Sequence, residues 1–290
     1  MSLTQLQGIV GGELKGNAKF SAVSTDTRTL QESELFIAIK GPNFNGNSFV
    51  AQAEAAHACA AMLSEDVQTK LPVLKVEDTR IAFGLLAAHN RLRSRAKVLA
   101  LTGSQGKTTV KEMTASILAT CGEVHLTKGN LNNDYGVPMT LLALEASHQF
   151  AVIELGANAP GEIAYTTRLT NPDIALINNI AATHLEGFGS LEGVAAGKSE
   201  LWSGLSAGGT AVINLDDSNI VKNFVQQPGI RMVTISAAGK TTADYSASDI
   251  RSQHLAGSDF KLHTPVGNIE ISISVPGRHN VANALASAAL

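Results

Sequence analysis

Apolar residues in this 290-residue chain fall into short runs divided by polar and glycine-rich breaks. Val98-Leu-Ala-Leu-Thr102 is a run of strand length, and after a glycine loop Val110, Met113, Ile117 and Leu118 recur at helical spacing. The same strand-then-helix rhythm continues through Val124–Leu126, Ala151–Leu155, Ile174–Asn178, Thr210–Asn214 and Met232–Ile235. It predicts a parallel sheet covered by helices on both faces. From Asp244 to Val275 short alternating runs predict antiparallel strands, followed by a helix starting near Asn280. Upstream, Leu35–Ile39 and Val73–Val76 read as strands, and Phe49–Ala61 as an alanine-rich helix. A long helix over Thr79–Arg95 leads into the Val98 strand. The expected fold is α/β: a small α/β domain over residues 1–78, then a mostly parallel-sheet domain over 79–290 with a few antiparallel strands. No internal repeat or low-complexity segment is visible.

Composition narrows the class. A hydrophobic content of 44% supplies a full core, and a net charge of −3 offers no basic field for nucleic acid. The cysteines, Cys59 and Cys121, lie in or at the end of helical patterns, so no disulfide framework is expected and a reducing compartment is favoured. The first residues lack a charged and apolar leader, and no apolar run approaches about 18 residues. A soluble cytoplasmic protein without nucleic-acid or membrane partners is expected.

The loop Gly103-Ser-Gln-Gly-Lys107-Thr-Thr109 carries the strongest chemical signal. Its glycines let backbone N–H groups approach phosphate oxygens, the following helix start adds partial positive charge, and Lys107 adds a full one. Thr108 is placed to offer a hydroxyl to Mg²⁺. The commoner spacing needs a glycine where Leu101 stands, and no Asp-x-x-Gly or Asn-Lys-x-Asp occurs, which argues against a GTPase. A nucleoside triphosphate is therefore the expected ligand of Gly103, Ser104, Gln105, Gly106, Lys107, Thr108 and Thr109.

Ligands of open α/β sheets bind beyond the carboxyl ends of the strands. Glu154 closes one strand, and a carboxylate there suits Mg²⁺ beside phosphates. Asn178-Asn179 leads into Thr183-His184-Leu-Glu-Gly187, where His184 is either a solvated side chain or a metal or phosphate contact. Lys198 follows on a helix over Leu191–Ser203; taken alone it reads as solvated, but its place brings it near the same rim. Gly129-Asn-Leu-Asn-Asn133 and Pro276-Gly-Arg-His279-Asn280, with Asn283 beyond, offer amides that read a base or sugar, or that merely cap helices.

Taken together, these stretches resemble the Mur ligase family, the ATP-dependent amide-bond ligases of peptidoglycan precursor assembly. The resemblance rests on Thr102–Met113, Gly129–Asn133, Val152–Asn158, His184–Ser190 and Pro276–Asn280, and runs from about Ser24 to Leu290. The Gly129 and His184 segments point to the member that joins D-alanyl-D-alanine to a UDP-MurNAc-tripeptide through an acyl phosphate. The resemblance implies ATP on Gly103–Thr109, with His279 and Asn280 at the adenine. It implies one Mg²⁺ on Thr108 and Glu154, and a second on His184 and a carbamylated Lys198. Lys107, Lys198 and His184 are the implied catalytic residues. Ser24, Asp26, Thr27, Arg28 and the segment Lys40-Gly41-Pro-Asn-Phe44-Asn45-Gly46 would hold the UDP end. Asn130, Asn132 and Asn133 would contact substrate, and the chain would act as a monomer.

Two departures qualify the likeness. Asn45 and Asn47 stand where the family often has Asp and His. Family members also continue into a third, Rossmann-like domain, whereas this sequence stops inside an apolar helix at Leu290, so nucleotide binding with little or no ligation is expected. Rival readings are the ligase that adds the third peptide residue, a folylpolyglutamate synthase-like enzyme, and a non-catalytic nucleotide-sugar-binding module.

Overall fold

The computed structural model describes residues 1–41, 44–253 and 257–290. The chain divides into two compact units, Met1–Asn90 and Arg91–Leu290. The boundary expected after residue 78 falls at the start of the helix Thr79–Arg93, most of which groups with the first unit. Thr79 ties it there: its buried hydroxyl donates to the Ala38 carbonyl at 2.9 Å.

The first unit is built on a five-stranded sheet ordered Glu13–Lys15, Val73–Lys75, Ala60–Leu63, Glu34–Ile37, Ala22–Ser24. Its pairings are parallel except that of Glu13–Lys15 with Val73–Lys75. A helix over Leu3–Val10 opens the chain, with Ser2 and Gln5 forming a reciprocal capping box. The helix expected over Phe49–Ala61 is corrected. Only Val50–Ala55 is α-helical, following a 3₁₀ turn, and Ala60–Leu63 is a strand with all four residues buried. His57 adopts a left-handed conformation (φ 61°) that ends the helix and turns the chain back into the sheet. Alanine favours helix locally, but strand pairing on both sides and burial on both faces override that preference.

The second unit is a nine-stranded sheet, and the expected α/β class holds. The order is Gly267–Ile273, Gly257–Thr264, Tyr245–Gln253, Arg231–Ser236, Thr210–Asn214, Ile174–Ile177, Lys97–Thr102, Phe150–Glu154, Val124–Leu126. Strands from Tyr245–Gln253 onward in that order pair in parallel, and the last two hairpin strands are antiparallel. Leu101, Val152, Leu176 and Val212 are fully buried and pack with Val110 and Ala286 of the helices Lys107–Leu118 and Arg278–Ala289. Burying each such aliphatic side chain contributes roughly 1.5–3 kcal/mol. The register pairs Glu154 with Leu101 and Ile177 with Thr102, so the carboxyl ends of the three central strands lie side by side. Among the described residues no helix is long and apolar enough to cross a membrane.

Met62 is fully buried in the strand Ala60–Leu63, whose first two residues read from sequence as helix. Met62→Ala is expected to lower the stability of the first unit by about 2–5 kcal/mol, followed by urea unfolding; an unchanged transition would contradict the assigned strand.

Candidate functional site

The glycine loop leaves the central strand Lys97–Thr102 and enters the helix Lys107–Leu118, the context its chemistry requires. Gly106 stands at the helix N-cap with φ 75°, and a β-carbon there would come within 2.6 Å of Asn283 Oδ1 and 2.8 Å of Asn178 Nδ2. Only glycine satisfies both the backbone angle and the approach.

The loop is held from behind. Ser104 N donates to the Asn179 carbonyl and Gln105 N to Asn179 Oδ1, each at 2.9 Å. Asn178 and Asn179 return their Nδ2 protons to the Gln105 carbonyl at 3.0 and 2.9 Å. Ser104 Oγ donates to the Ala181 carbonyl and accepts from Ala181 N. Ser104 and Gln105, expected as nucleotide contacts, thus spend these groups on fixing the loop. The N–H groups of the helix's first turn, from Lys107 to Thr109, have no intrahelical acceptor and remain for an anion. Lys107 is curled back, its Nζ donating to the Gly103 carbonyl at 2.9 Å, and burial pushes its pKa down against the opposing pull of Glu154.

Glu154 is 2% exposed at the end of its strand. Its Oε1 accepts from Asn132 Nδ2 at 2.8 Å, and its Oε2 from Thr108 Oγ1 at 3.1 Å. Lys111 Nζ lies 3.9 Å from Oε2. Lys198 is 1% exposed on the helix Leu191–Ser199, and its ammonium has no hydrogen-bond or ion-pair partner among the described residues. Its pKa falls to about 8, through burial first and the positive charge of Lys107 second. Lys107, Thr108, Glu154 and Lys198 therefore share one neighbourhood. His184 is placed differently: it is exposed, in a left-handed conformation (φ 54°) before the short helix Leu185–Phe188, and its ring joins none of the hydrogen bonds of that cluster.

Among the described residues no three His, Cys, Asp or Glu side chains are grouped to hold a metal. The Thr108 hydroxyl and Glu154 carboxylate are instead the sparse oxygen set that suits Mg²⁺ when phosphates supply the remaining ligands.

Several amides of the two amide-rich segments make hydrogen bonds within the protein. Asn132 holds Glu154, and Asn133 Oδ1 accepts from Gly136 N at 2.9 Å, closing the turn into the helix Gly136–Leu142. Asn130 is exposed. Gly277, not Asn280, is the N-cap of the helix Arg278–Ala289; Asn280 Nδ2 donates to the Pro276 carbonyl at 2.8 Å. The exposed His279 ring folds over Gly277, and Asn283 Oδ1 accepts from Asn178 Nδ2 at 2.9 Å. The Pro276–Asn283 segment is thereby joined to the phosphate loop.

In the first unit a cleft of about 480 Å³ is lined by Thr25, Asp26, Thr27, Arg28, Phe36, Phe44, Phe49 and Gln52. Phe44 and Phe49 stack with centroids 5.2 Å apart. The Arg28 side chain grips the Asp26 carboxylate, Nη2 to Oδ2 at 2.6 Å, and holds its pKa at about 2. Ser24 Oγ donates to the Asp26 carbonyl at 3.0 Å. Lys40 and Asn45 both bind Glu65, and Gly46 N donates to the Ile39 carbonyl. Lys40–Gly41 and Phe44–Asn45 pair as a two-stranded hairpin, while Pro42 and Asn43 lie outside the described residues.

Lys111 and the Asn178–Asn283 bridge were not singled out for these roles from sequence. Lys111 could have been, since it lies one helical turn past Lys107 and Thr108 and so shares their face.

Comparison with known proteins adds independent findings. The Mur ligase middle domain matches residues 101–290. The UDP-N-acetylmuramoyl-tripeptide–D-alanyl-D-alanine ligase of Escherichia coli K12 is 50% identical over 292 residues, covering 100% of this chain and 64% of its own length. The Haemophilus influenzae protein of the same name is 46% identical over 300 residues, with the same coverages. The chain thus spans just under two thirds of these curated relatives. A crystal structure of MurF from Acinetobacter baumannii superposes with a TM-score of 0.91 at 36% identity, covering 99% of this chain and 63% of that one. The MurF ligase of Thermotoga maritima, solved in complex with ADP, gives 0.82 at 25% identity, covering 92% and 61%.

The burial of Lys198 has a measurable consequence. Its pKa is depressed in the folded chain, so between about pH 8 and 10.5 the unfolded chain holds a proton the folded one has released, and stability rises with pH across that window. Below about pH 8 the full cost of the buried cation is present. In metal-free, CO₂-depleted buffer Lys198→Met is expected to gain on the order of 1–3 kcal/mol at pH 7 and to lose that rise. A less stable variant at pH 7 would contradict an unpaired buried ammonium.

Proposed function

Because this chain belongs to the Mur ligase family, we propose that it binds ATP with Mg²⁺ and serves the ligation of D-alanyl-D-alanine to a UDP-MurNAc-tripeptide. The observation that carries this reading is the Thr108–Glu154 contact of 3.1 Å beside an open helix start and Lys107. In this reading residues 79–290 handle ATP and residues 1–78 the sugar nucleotide.

The triphosphate lies on the first-turn N–H groups of the Lys107 helix. Lys107 exchanges the Gly103 carbonyl for phosphate oxygens, a small movement because its Nζ already lies at the loop. The terminal carboxylate of the tripeptide attacks the γ-phosphorus and ADP departs with the bonding pair, giving an acyl phosphate. The D-alanyl-D-alanine amine then attacks the acyl carbon, inorganic phosphate leaves, and the amine loses a proton. A free carboxylate is a poor acyl donor, and phosphorylation supplies its leaving group. Mg²⁺ held by Thr108 and Glu154 neutralises charge on the transferred group when bound.

Lys198 fits a carbamate. With a pKa of about 8, about a tenth of the amine is neutral at pH 7; that neutral nitrogen would attack CO₂ and release one proton, turning a repelled cation into an anionic oxygen donor. Such a carbamate would offer oxygen to a second Mg²⁺, which His184 would join only if its exposed ring were brought to the cluster from which it stands apart. In the first unit, the exposed Phe44 stacked on Phe49 offers a face for a uracil ring, and Asp26, Thr27 and Arg28 offer polar contacts around it. His279 and Asn280 serve the adenine, and the protein works as a cytoplasmic monomer.

Calorimetric titration of this chain with a β,γ-imido analogue of ATP and Mg²⁺, with and without UDP-MurNAc-tripeptide, tests the reading. Saturable binding is expected, weakened by at least about tenfold, or 1.4 kcal/mol, in Lys107→Ala. Absence of binding by the unaltered chain would overturn it.

A further inference from the structure

Lys111 is 0% exposed, yet it carries a charge that neither the phosphate loop nor the proposed ligation step uses. It stands one turn beyond Lys107 on the same helix face. Its Nζ donates to the Thr127 carbonyl at 2.8 Å and the Gly129 carbonyl at 3.3 Å. Glu112 Oε1 lies 3.2 Å away and Glu154 Oε2 3.9 Å. Thr127 and Gly129 open the segment that carries Asn132, whose Nδ2 holds the other oxygen of Glu154. Thr127 touches Glu154 again, its hydroxyl accepting the Glu154 N–H at 3.0 Å. One ammonium thus joins the phosphate-loop helix, the Thr127–Asn133 segment and the buried carboxylate.

A fully buried lysine is an expensive way to fill space, since an apolar side chain of similar volume is often as stable or more so. We propose that Lys111 is a positioning residue: it clamps the Thr127–Asn133 segment to the phosphate-loop helix and so sets Asn132 and the Glu154 carboxylate to receive the metal–nucleotide. This rests on the reading of Glu154 as a Mg²⁺ ligand. The ammonium also supplies positive charge at Glu154 before the metal arrives, so the carboxylate is held in place in the ligand-free chain.

Two measurements on this chain test the clamp, using Lys111→Met, Lys111→Gln and Lys111→Arg. In ligand-free hydrogen exchange, Lys111→Met is expected to speed the amides of residues 127–133 by at least about tenfold while those of 97–102 stay within about twofold. In binding of a fluorescent β,γ-imido ATP analogue, the variant is expected to keep its Mg²⁺-free affinity within about threefold and to lose at least about tenfold of the tightening that Mg²⁺ confers. Lys111→Arg, which keeps the charge and the donors, is expected to restore most of that tightening. Wild-type exchange over 127–133 together with wild-type Mg²⁺ tightening in Lys111→Met would overturn the proposal. Should Lys111→Met fail to fold, Lys111→Gln decides: it retains a donor without charge, so lost tightening supports the proposal and wild-type tightening overturns it. An unaltered chain that binds no nucleotide would remove the functional reading, while the exchange measurement would still decide the clamp.

Discussion

A buried carboxylate at the end of a central strand is the constraint around which the second unit is arranged. Glu154 has almost no contact with solvent, so its charge must be met by donors fixed in the fold. Its partners come from two separate segments: Thr108 donates from the phosphate-loop helix, with the Lys111 ammonium 3.9 Å away one turn further along it, and Asn132 donates from the loop after the edge strand. The parallel register makes this convergence possible, because it sets Glu154 level with Leu101 and therefore beside the loop that follows Thr102. A one-residue slip would turn the carboxylate to the other face of the sheet.

The phosphate loop is shaped in advance by the same logic of compensation. Its carbonyl and N–H groups are taken up by Asn178 and Asn179 from the neighbouring strand end, Ala181 holds the Ser104 hydroxyl, and Asn178 is in turn held by Asn283 of the last helix. Asp217 steadies that strand end, its Oδ2 accepting the Ile180 N–H at 2.6 Å. Bracing of this kind lowers the ordering cost that a flexible loop would add to binding.

Much of this was legible in the sequence. The change from strand to helical period across Gly103–Thr109 located the loop, and the rule that ligands gather at strand ends selected Glu154. What stayed hidden was long-range. The helix read over Phe49–Ala61 runs too far because alanine dominates locally, whereas the flanking strands claim Ala60 and Ala61. The Asn178–Asn283 bridge links residues 105 positions apart, and no local pattern encodes it. Lys198 looks like any solvated helical lysine until packing shows it buried, with no hydrogen-bond or ion-pair partner among the described residues. Asn133 carries a turn-closing role besides, its Oδ1 accepting from Gly136 N, which its place among amides suited to a ligand did not reveal. His184 matched a motif, yet its ring stays apart from the cluster's hydrogen bonds.

The first unit follows a simpler plan, in which a mostly parallel sheet accompanies an aromatic-lined cleft whose flanking hairpin is pinned by Glu65. The account's central claim, however, concerns the metal at Glu154. A crystal structure of this chain with Mg²⁺ and a β,γ-imido ATP analogue tests it most directly. The predicted result is one Mg²⁺ at about 2.1 Å from both a Glu154 oxygen and Thr108 Oγ1, with Lys107 released from the Gly103 carbonyl. Triphosphate bound with its metal away from Glu154, and the Thr108–Glu154 contact intact, would contradict it.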